Sequence, residues 1–131
     1  MFGSPLLDGL PRIERLFPIP AQLAGAAMER AGVMPARAET IRVLARRVAD
    51  GTIAFASSLD GRATLSALRK VPGIGDWTAE YIAMRAFGEA DAFPSGDLVL
   101  RRAAGGCTAR ELGRKSDAWR PWRAYAVMLL W

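Results

Sequence analysis

Two glycines around one apolar residue, Gly73-Ile74-Gly75, form the stretch of this 131-residue chain with the clearest chemical use. Without Cβ atoms at Gly73 and Gly75, the backbone turns tightly and admits a phosphate at close range. The first N–H groups of a helix starting after Gly75 then point at that phosphate, helped by the helix dipole. Ile74 plugs such a turn into a core, and Arg69, Lys70 and the Thr78 hydroxyl stand ready to add contacts. A backbone contact of this kind positions a protein on a polyanion without reading sequence. The plainer alternative is a corner between two helices with glycines at the cap, because Gly-x-Gly alone has many chance matches.

Composition narrows the chemistry further. The chain has no His and one Cys, Cys107, so the usual ligands of zinc and non-haem iron are missing. Ser-His and Cys-His nucleophile pairs are excluded for the same reason, and no internal disulfide can form. Reactivity must rest on carboxylates, hydroxyls, aromatics or backbone; Cys107 reads as a bland small residue. Lys and Arg outnumber Asp and Glu by 18 to 13, a net charge of +5 that suits a polyanionic partner. No apolar run reaches the ~20 residues needed to cross a bilayer, and the first residues carry no signal-peptide pattern.

These residues need elements to hold them, and the pattern is one of short helices punctuated by Pro and Gly. An Ala-rich helix is expected from Pro18-Ile19-Pro20 to about Ala31. Pro35 to Asp50 is the clearest amphipathic helix, with Ile41, Leu44, Ala45 and Val48 on one face and Gly51 to end it. A helix over Arg62–Lys70 leads through the breaker-rich Val71–Gly75 to a second helix, Asp76 to Phe87. Asp97 is a plausible N-cap for Leu98–Ala103, and Thr108-Ala109-Arg110-Glu111 has capping-box spacing. Pro121 is expected in the first turn of the last helix, which runs to Trp131. Trp77 and Tyr81, at i and i+4, share a helix face. Core packing is the simple reading of such a pair, as it is for Trp119, Trp122 and Tyr125.

The longer pattern is more specific. Leu68-Arg69-Lys70-Val71-Pro72-Gly73-Ile74-Gly75-Asp76-Trp77-Thr78-Ala79 leads through Glu80-Tyr81 to Asp91-Ala92-Phe93-Pro94-Ser95-Gly96-Asp97-Leu98. Trp119-Arg120-Pro121-Trp122-Arg123-Ala124-Tyr125 and Trp131 follow. From about Pro18 to Trp131 the chain resembles DNA-3-methyladenine glycosylase II, the alkylated-base branch of the helix-hairpin-helix, endonuclease III-like glycosylases. The resemblance implies an all-α helix-hairpin-helix glycosylase domain over 1–131, with the hairpin at 68–87 and the catalytic loop at 92–97. Full-length relatives begin with a β-rich domain and early helices that this chain does not contain. The domain is therefore expected to be incomplete at its N-terminus, and also at its C-terminus, where the apolar Leu129-Leu130-Trp131 has no cap.

The implied chemistry is excision of alkylated purines, of the 3-methyladenine and 7-methylguanine type, from double-stranded DNA by base flipping. Asp97 matches the essential aspartate, which stabilises an oxocarbenium ion or activates water. A methylated purine is already cationic and leaves without a general acid, so one carboxylate suffices. Trp77, Tyr81 and Trp131 match the aromatic base pocket, whose faces attract cations by ~0.5–2 kcal/mol. Bifunctional relatives carry a lysine where Trp77 stands, and the four-cysteine iron–sulfur loop is absent, so the resemblance implies a monofunctional enzyme. Gly96 departs from relatives that have a side chain there, which is expected to loosen the loop. The resemblance requires no cofactor beyond a monovalent cation, Na+ or K+, on the carbonyls of Arg69, Val71 and Ile74. It also implies a monomer in a bacterial cytoplasm, associated with the nucleoid and with no membrane. A non-catalytic helix-hairpin-helix DNA-binding module is the other reading; a purely structural helical fragment would leave hairpin, loop and aspartate to coincidence.

Overall fold

The computed structural model describes residues 1–6, 14–55 and 61–131, with the backbone alone for Gly61 and Arg62. The chain forms two compact units, residues 1–54 with Val71–Gly73, and residues 55–70 with 74–131.

In the first unit, an isolated antiparallel bridge joins Pro5 to Arg15, and Leu16 N–H donates to the Ser4 carbonyl at 2.9 Å. It is followed by α1 (Pro20–Ala24), a 3-10 turn (Met28–Ala31) and α2 (Pro35–Ala49). The Ala-rich stretch is thus two pieces rather than the single helix its composition suggests. Gly25 caps α1, and the chain then turns so that Ala26 and Met28 enter a small core with Ala38. Burying Met28 outweighs the propensity of a few alanines to continue the helix. Arg42 on α2 pairs with Glu29 and Glu39, both at 2.9 Å, and pins the 3-10 turn to the helix. Gly51, at φ +79, takes the chain off the end of α2.

The second unit holds α3 (Gly61–Arg69), α4 (Asp76–Ala86), α5 (Leu98–Ala103), α6 (Ala109–Ser116), a 3-10 turn (Asp117–Trp119) and α7 (Arg123–Leu130). Its core comprises Ala83, Met84, Ala92, Phe93, Leu100, Leu112, Ala124 and Val127, with Cys107 and Trp119 packed against it. The Thr108–Glu111 capping box forms as its spacing predicts: Thr108 N–H donates to Glu111 at 2.8 Å, and Glu111 N–H to the Thr108 hydroxyl at 3.2 Å. The last helix starts two residues after Pro121. Trp122 N–H bonds the Trp119 carbonyl in a turn, and the helix proper begins only at Arg123. Because α7 buries Ala124 and Val127, Tyr125 falls on its outer face; Tyr125 and Trp122 pack edge-on against each other in solvent, not in the core. Trp119 does pack inward, edge-on to Phe93 at 5.9 Å. Among the described residues the architecture is all-α, and no helix is long and apolar enough to cross a membrane.

Candidate functional site

Asp97 caps α5 in the way its position predicts. One carboxylate oxygen, Oδ1, accepts the N–H groups of Val99 and Leu100 at 2.8 and 2.9 Å. Two indoles add to this set: Trp77 donates Nε1–H to Oδ2 at 2.7 Å, and Trp131 donates to Oδ1 at 3.4 Å. Asp97 is 9% exposed. That burial pushes its pKa up, but the hydrogen bonds from Leu100, Trp77, Trp131 and Val99 outweigh it and hold the carboxyl below the usual aspartate range. The result is a buried carboxylate that stays ionised, in a shell of four donors.

The aromatic residues lie against it as a stack. Trp77 and Tyr81 are parallel to within 14° at 5.3 Å, and Trp131 leans on Tyr81 at 5.9 Å. Each of the three residues keeps more than a third of its surface exposed. The sequence pattern brings these rings together by helical spacing, but the seating of two indole N–H groups on the aspartate is not visible in spacing. An ionised carboxylate flanked by partly exposed aromatic rings is suited to stabilising positive charge.

A second carboxylate organises the loop in front of Asp97. Glu80, one turn beyond Trp77 on α4, accepts the buried Phe93 N–H at 3.0 Å. Its other oxygen pairs with Arg69 at 2.6 Å, and Arg69 also reaches Asp76 at 3.1 Å. Arg69, expected as a phosphate contact, is thus committed to two carboxylates. Asp97 N–H returns to the Pro94 carbonyl and Ser95 N–H to the Phe93 carbonyl, both at 2.9 Å, so the loop is tied across itself. Gly96 has room for a side chain and no left-handed φ. A cleft of about 320 Å³ runs along this loop, lined by Arg69, Trp77, Glu80 and Phe93–Gly96 among others. Glu80 was missed at the sequence level. Its signal is the spacing Trp77, Glu80, Tyr81 on one helix face, which reads equally well as a solvated glutamate.

The two hairpin glycines differ in their reasons. Gly73 has φ +88, and a Cβ there would come within 2.1 Å of the Thr40 Oγ1 on α2. Only glycine satisfies both constraints. Gly75 precedes α4 in an extended conformation, is exposed and has open space where a Cβ would stand. It leaves the start of an 11-residue helix accessible. Lys70 is exposed, Thr78 is half-buried in the first turn of α4, and Val71 and Ile74 are buried. Among the described residues, no cluster of His, Cys, Asp and Glu groups enough ligands for a metal ion.

No protein-family model matches the chain. It is 40% identical over 134 aligned residues to the probable bifunctional transcriptional activator/DNA repair enzyme AlkA of Mycobacterium tuberculosis, covering 99% of this chain and 27% of that protein. It is 34% identical over 118 residues to DNA-3-methyladenine glycosylase 2 of Escherichia coli, covering 88% and 42% respectively. The chain therefore spans less than half the length of these relatives. Its fold matches a Schizosaccharomyces pombe 3-methyladenine DNA glycosylase in complex with abasic DNA, with a TM-score of 0.80 at 24% identity over 88% of this chain and 62% of that one. Along nearly its whole length the chain is thus similar in sequence to parts of DNA-3-methyladenine glycosylases and related DNA repair enzymes, and it shares the fold of one such glycosylase.

Proposed function

We propose that this chain carries the base-excision centre of an alkylation-repair glycosylase, hydrolysing the N-glycosidic bond of alkylated purines in double-stranded DNA. The observation that carries the reading is the buried, ionised Asp97 beside the open stack of Trp77, Tyr81 and Trp131. Loss of a purine leaves positive charge on the deoxyribose, and a fixed carboxylate lowers the free energy of that ion by several kcal/mol in a site of low dielectric. The four donors on Asp97 keep it ionised and fixed in direction, so little reorganisation accompanies bond breaking. A purine made cationic by methylation leaves as a neutral base, and the aromatic faces favour it over an unmodified one. Flipping costs a few kcal/mol, less for a damaged base, and adds to this preference.

Trp77 has no amine, so water is the nucleophile and the product is an abasic site in an intact strand. The open N-terminus of α4 at Gly75 is the proposed seat of a DNA phosphate. The working form is proposed as a monomer in the bacterial cytoplasm, on the nucleoid.

Release of methylated bases from alkylated duplex DNA tests the reading, with Asp97→Asn as control. We expect release by the wild-type chain and a drop of ~10² or more in the variant. Salt-sensitive, sequence-independent DNA binding without release would establish the binding module instead.

A further inference from the structure

We propose that Glu80 is a positioning residue that sets the direction of the Asp97 carboxylate by clamping the start of its loop to α4. Trp77 and Glu80 stand three positions apart on that helix. Trp77 grips the loop at its end, through Asp97 Oδ2 at 2.7 Å. Glu80 grips it at its beginning, through the Phe93 N–H at 3.0 Å. Between these points lie only Pro94, Ser95 and Gly96, already closed by the two loop hydrogen bonds. The Phe93 ring is buried under Trp119, with the Arg123 guanidinium 6.0 Å from its centroid, so the residue that Glu80 holds is itself a fixed point of the core. Arg69 in turn fixes Glu80 by the 2.6 Å ion pair, which leaves the other carboxylate oxygen aimed at the backbone.

The chemistry at each end differs, and this is why the clamp acts on direction. At Phe93 a charged acceptor meets a buried backbone donor, a strong bond whose loss leaves that donor without a partner. At Asp97 the donors come from α5, Trp77 and Trp131, and their geometry is satisfied only while the loop brings the carboxylate to them. The core holds the Phe93 ring but not its peptide, so releasing the Glu80 bond lets the Phe93 backbone and the residues after it shift relative to Trp77. A displacement near 1 Å at a reacting group costs up to ~10²-fold in rate.

The proposal rests on the reading of Asp97 given above, but its test also has readouts that need no catalysis. Glu80→Ala removes the acceptor, whereas Glu80→Gln keeps an oxygen for Phe93 while removing the charge that holds Arg69. Nuclear magnetic resonance reports amide exchange at Phe93 and the indole N–H resonance of Trp77; single-turnover base release reports rate and half-saturating DNA separately. In Glu80→Ala we expect Phe93 to exchange about tenfold faster or more, and the Trp77 resonance to leave its hydrogen-bonded position. Base release should fall about tenfold or more, with half-saturation changed by less than about twofold. Glu80→Gln should restore all readouts to within about threefold of wild type.

A folded Glu80→Ala protein with an unchanged Trp77 resonance overturns the proposal, whatever happens at Phe93. If Glu80→Ala does not fold, the wild-type protein decides. Phe93 N–H and the Trp77 indole should then exchange through one opening, with the same dependence on denaturant, and separate dependences overturn the clamp. A wild-type chain that releases no base overturns the proposed activity and leaves the exchange and resonance results to judge Glu80.

Discussion

The indole nitrogen of Trp77 lies 2.7 Å from Asp97 Oδ2, so a tryptophan in the first turn of α4 is a hydrogen-bond donor to the aspartate that caps α5. It shares that carboxylate with Trp131 and with the first turn of α5. A single side chain therefore serves as helix cap, as anchor for two aromatic rings and as the proposed charge for excision.

Asp97→Asn is expected to cost stability as well as activity. Asn is as good an N-cap as Asp, so Oδ1 can keep the Val99 and Leu100 bonds. Its amide group then faces the Trp77 N–H donor to donor, which leaves that contact broken at a cost of ~1–3 kcal/mol. Urea unfolding of wild type and variant measures this loss, and equal midpoints would show that the indole bond contributes nothing.

The pH dependence follows from the same bonds. Asp97 is held below its ordinary pKa, so its folded-state interactions favour stability above the unfolded value and are lost as pH falls through the lower, folded one. We expect excision to stay on its plateau down to the bottom of the usual carboxylate range. Trp77→Phe removes one donor and should move the acid limb of the rate profile to higher pH. Coincident limbs would remove Trp77 from the electrostatics of the site.

The hairpin glycines should separate stability from binding. Gly73→Ala places a side chain at φ +88 and against Thr40, costing ~1–2 kcal/mol for the backbone alone. Gly75→Ala fits the extended conformation and should be neutral or stabilising by ~0.4–1 kcal/mol. Its methyl group nevertheless crowds the proposed phosphate, so DNA affinity at low salt should fall. Fluorescence anisotropy beside thermal unfolding checks both, and unchanged affinity in Gly75→Ala would move the phosphate elsewhere.

The product identifies the nucleophile. With no amine at position 77, borohydride should trap no covalent complex on a methylated duplex, and the strand should stay uncut until alkali is added. A trapped adduct would mean that Lys70 or another amine attacks the sugar.

Features that depend on neighbours in sequence were legible there. The Asp97 cap, the Thr108–Glu111 box, the span of α2 and the Trp77–Tyr81 face all follow from spacing within one or two turns. What failed to show depends on packing. The Pro20–Ala31 stretch breaks because Met28 finds a core, and Trp122 and Tyr125 point outward because α7 has only a narrow buried face. Gly96, which read as a loosening residue, lies in a loop closed by hydrogen bonds from its neighbours Ser95 and Asp97. Glu80 and Phe93 are 13 positions apart, and the bond between them exists only once the loop has folded back on α4.

Two of the four tryptophans, Trp77 and Trp131, place their indole nitrogens on one carboxylate and their rings against Tyr81. Indole emission is sensitive to a nearby charge and to a hydrogen bond at nitrogen, whereas Trp119 and Trp122 are engaged with Phe93 and Tyr125 instead. Neutralising Asp97 with acid, or occupying the rings with the proposed base, therefore changes the ultraviolet fluorescence of half the tryptophans at once. The protein carries an intrinsic optical reporter of its own site, readable without label or substrate analogue.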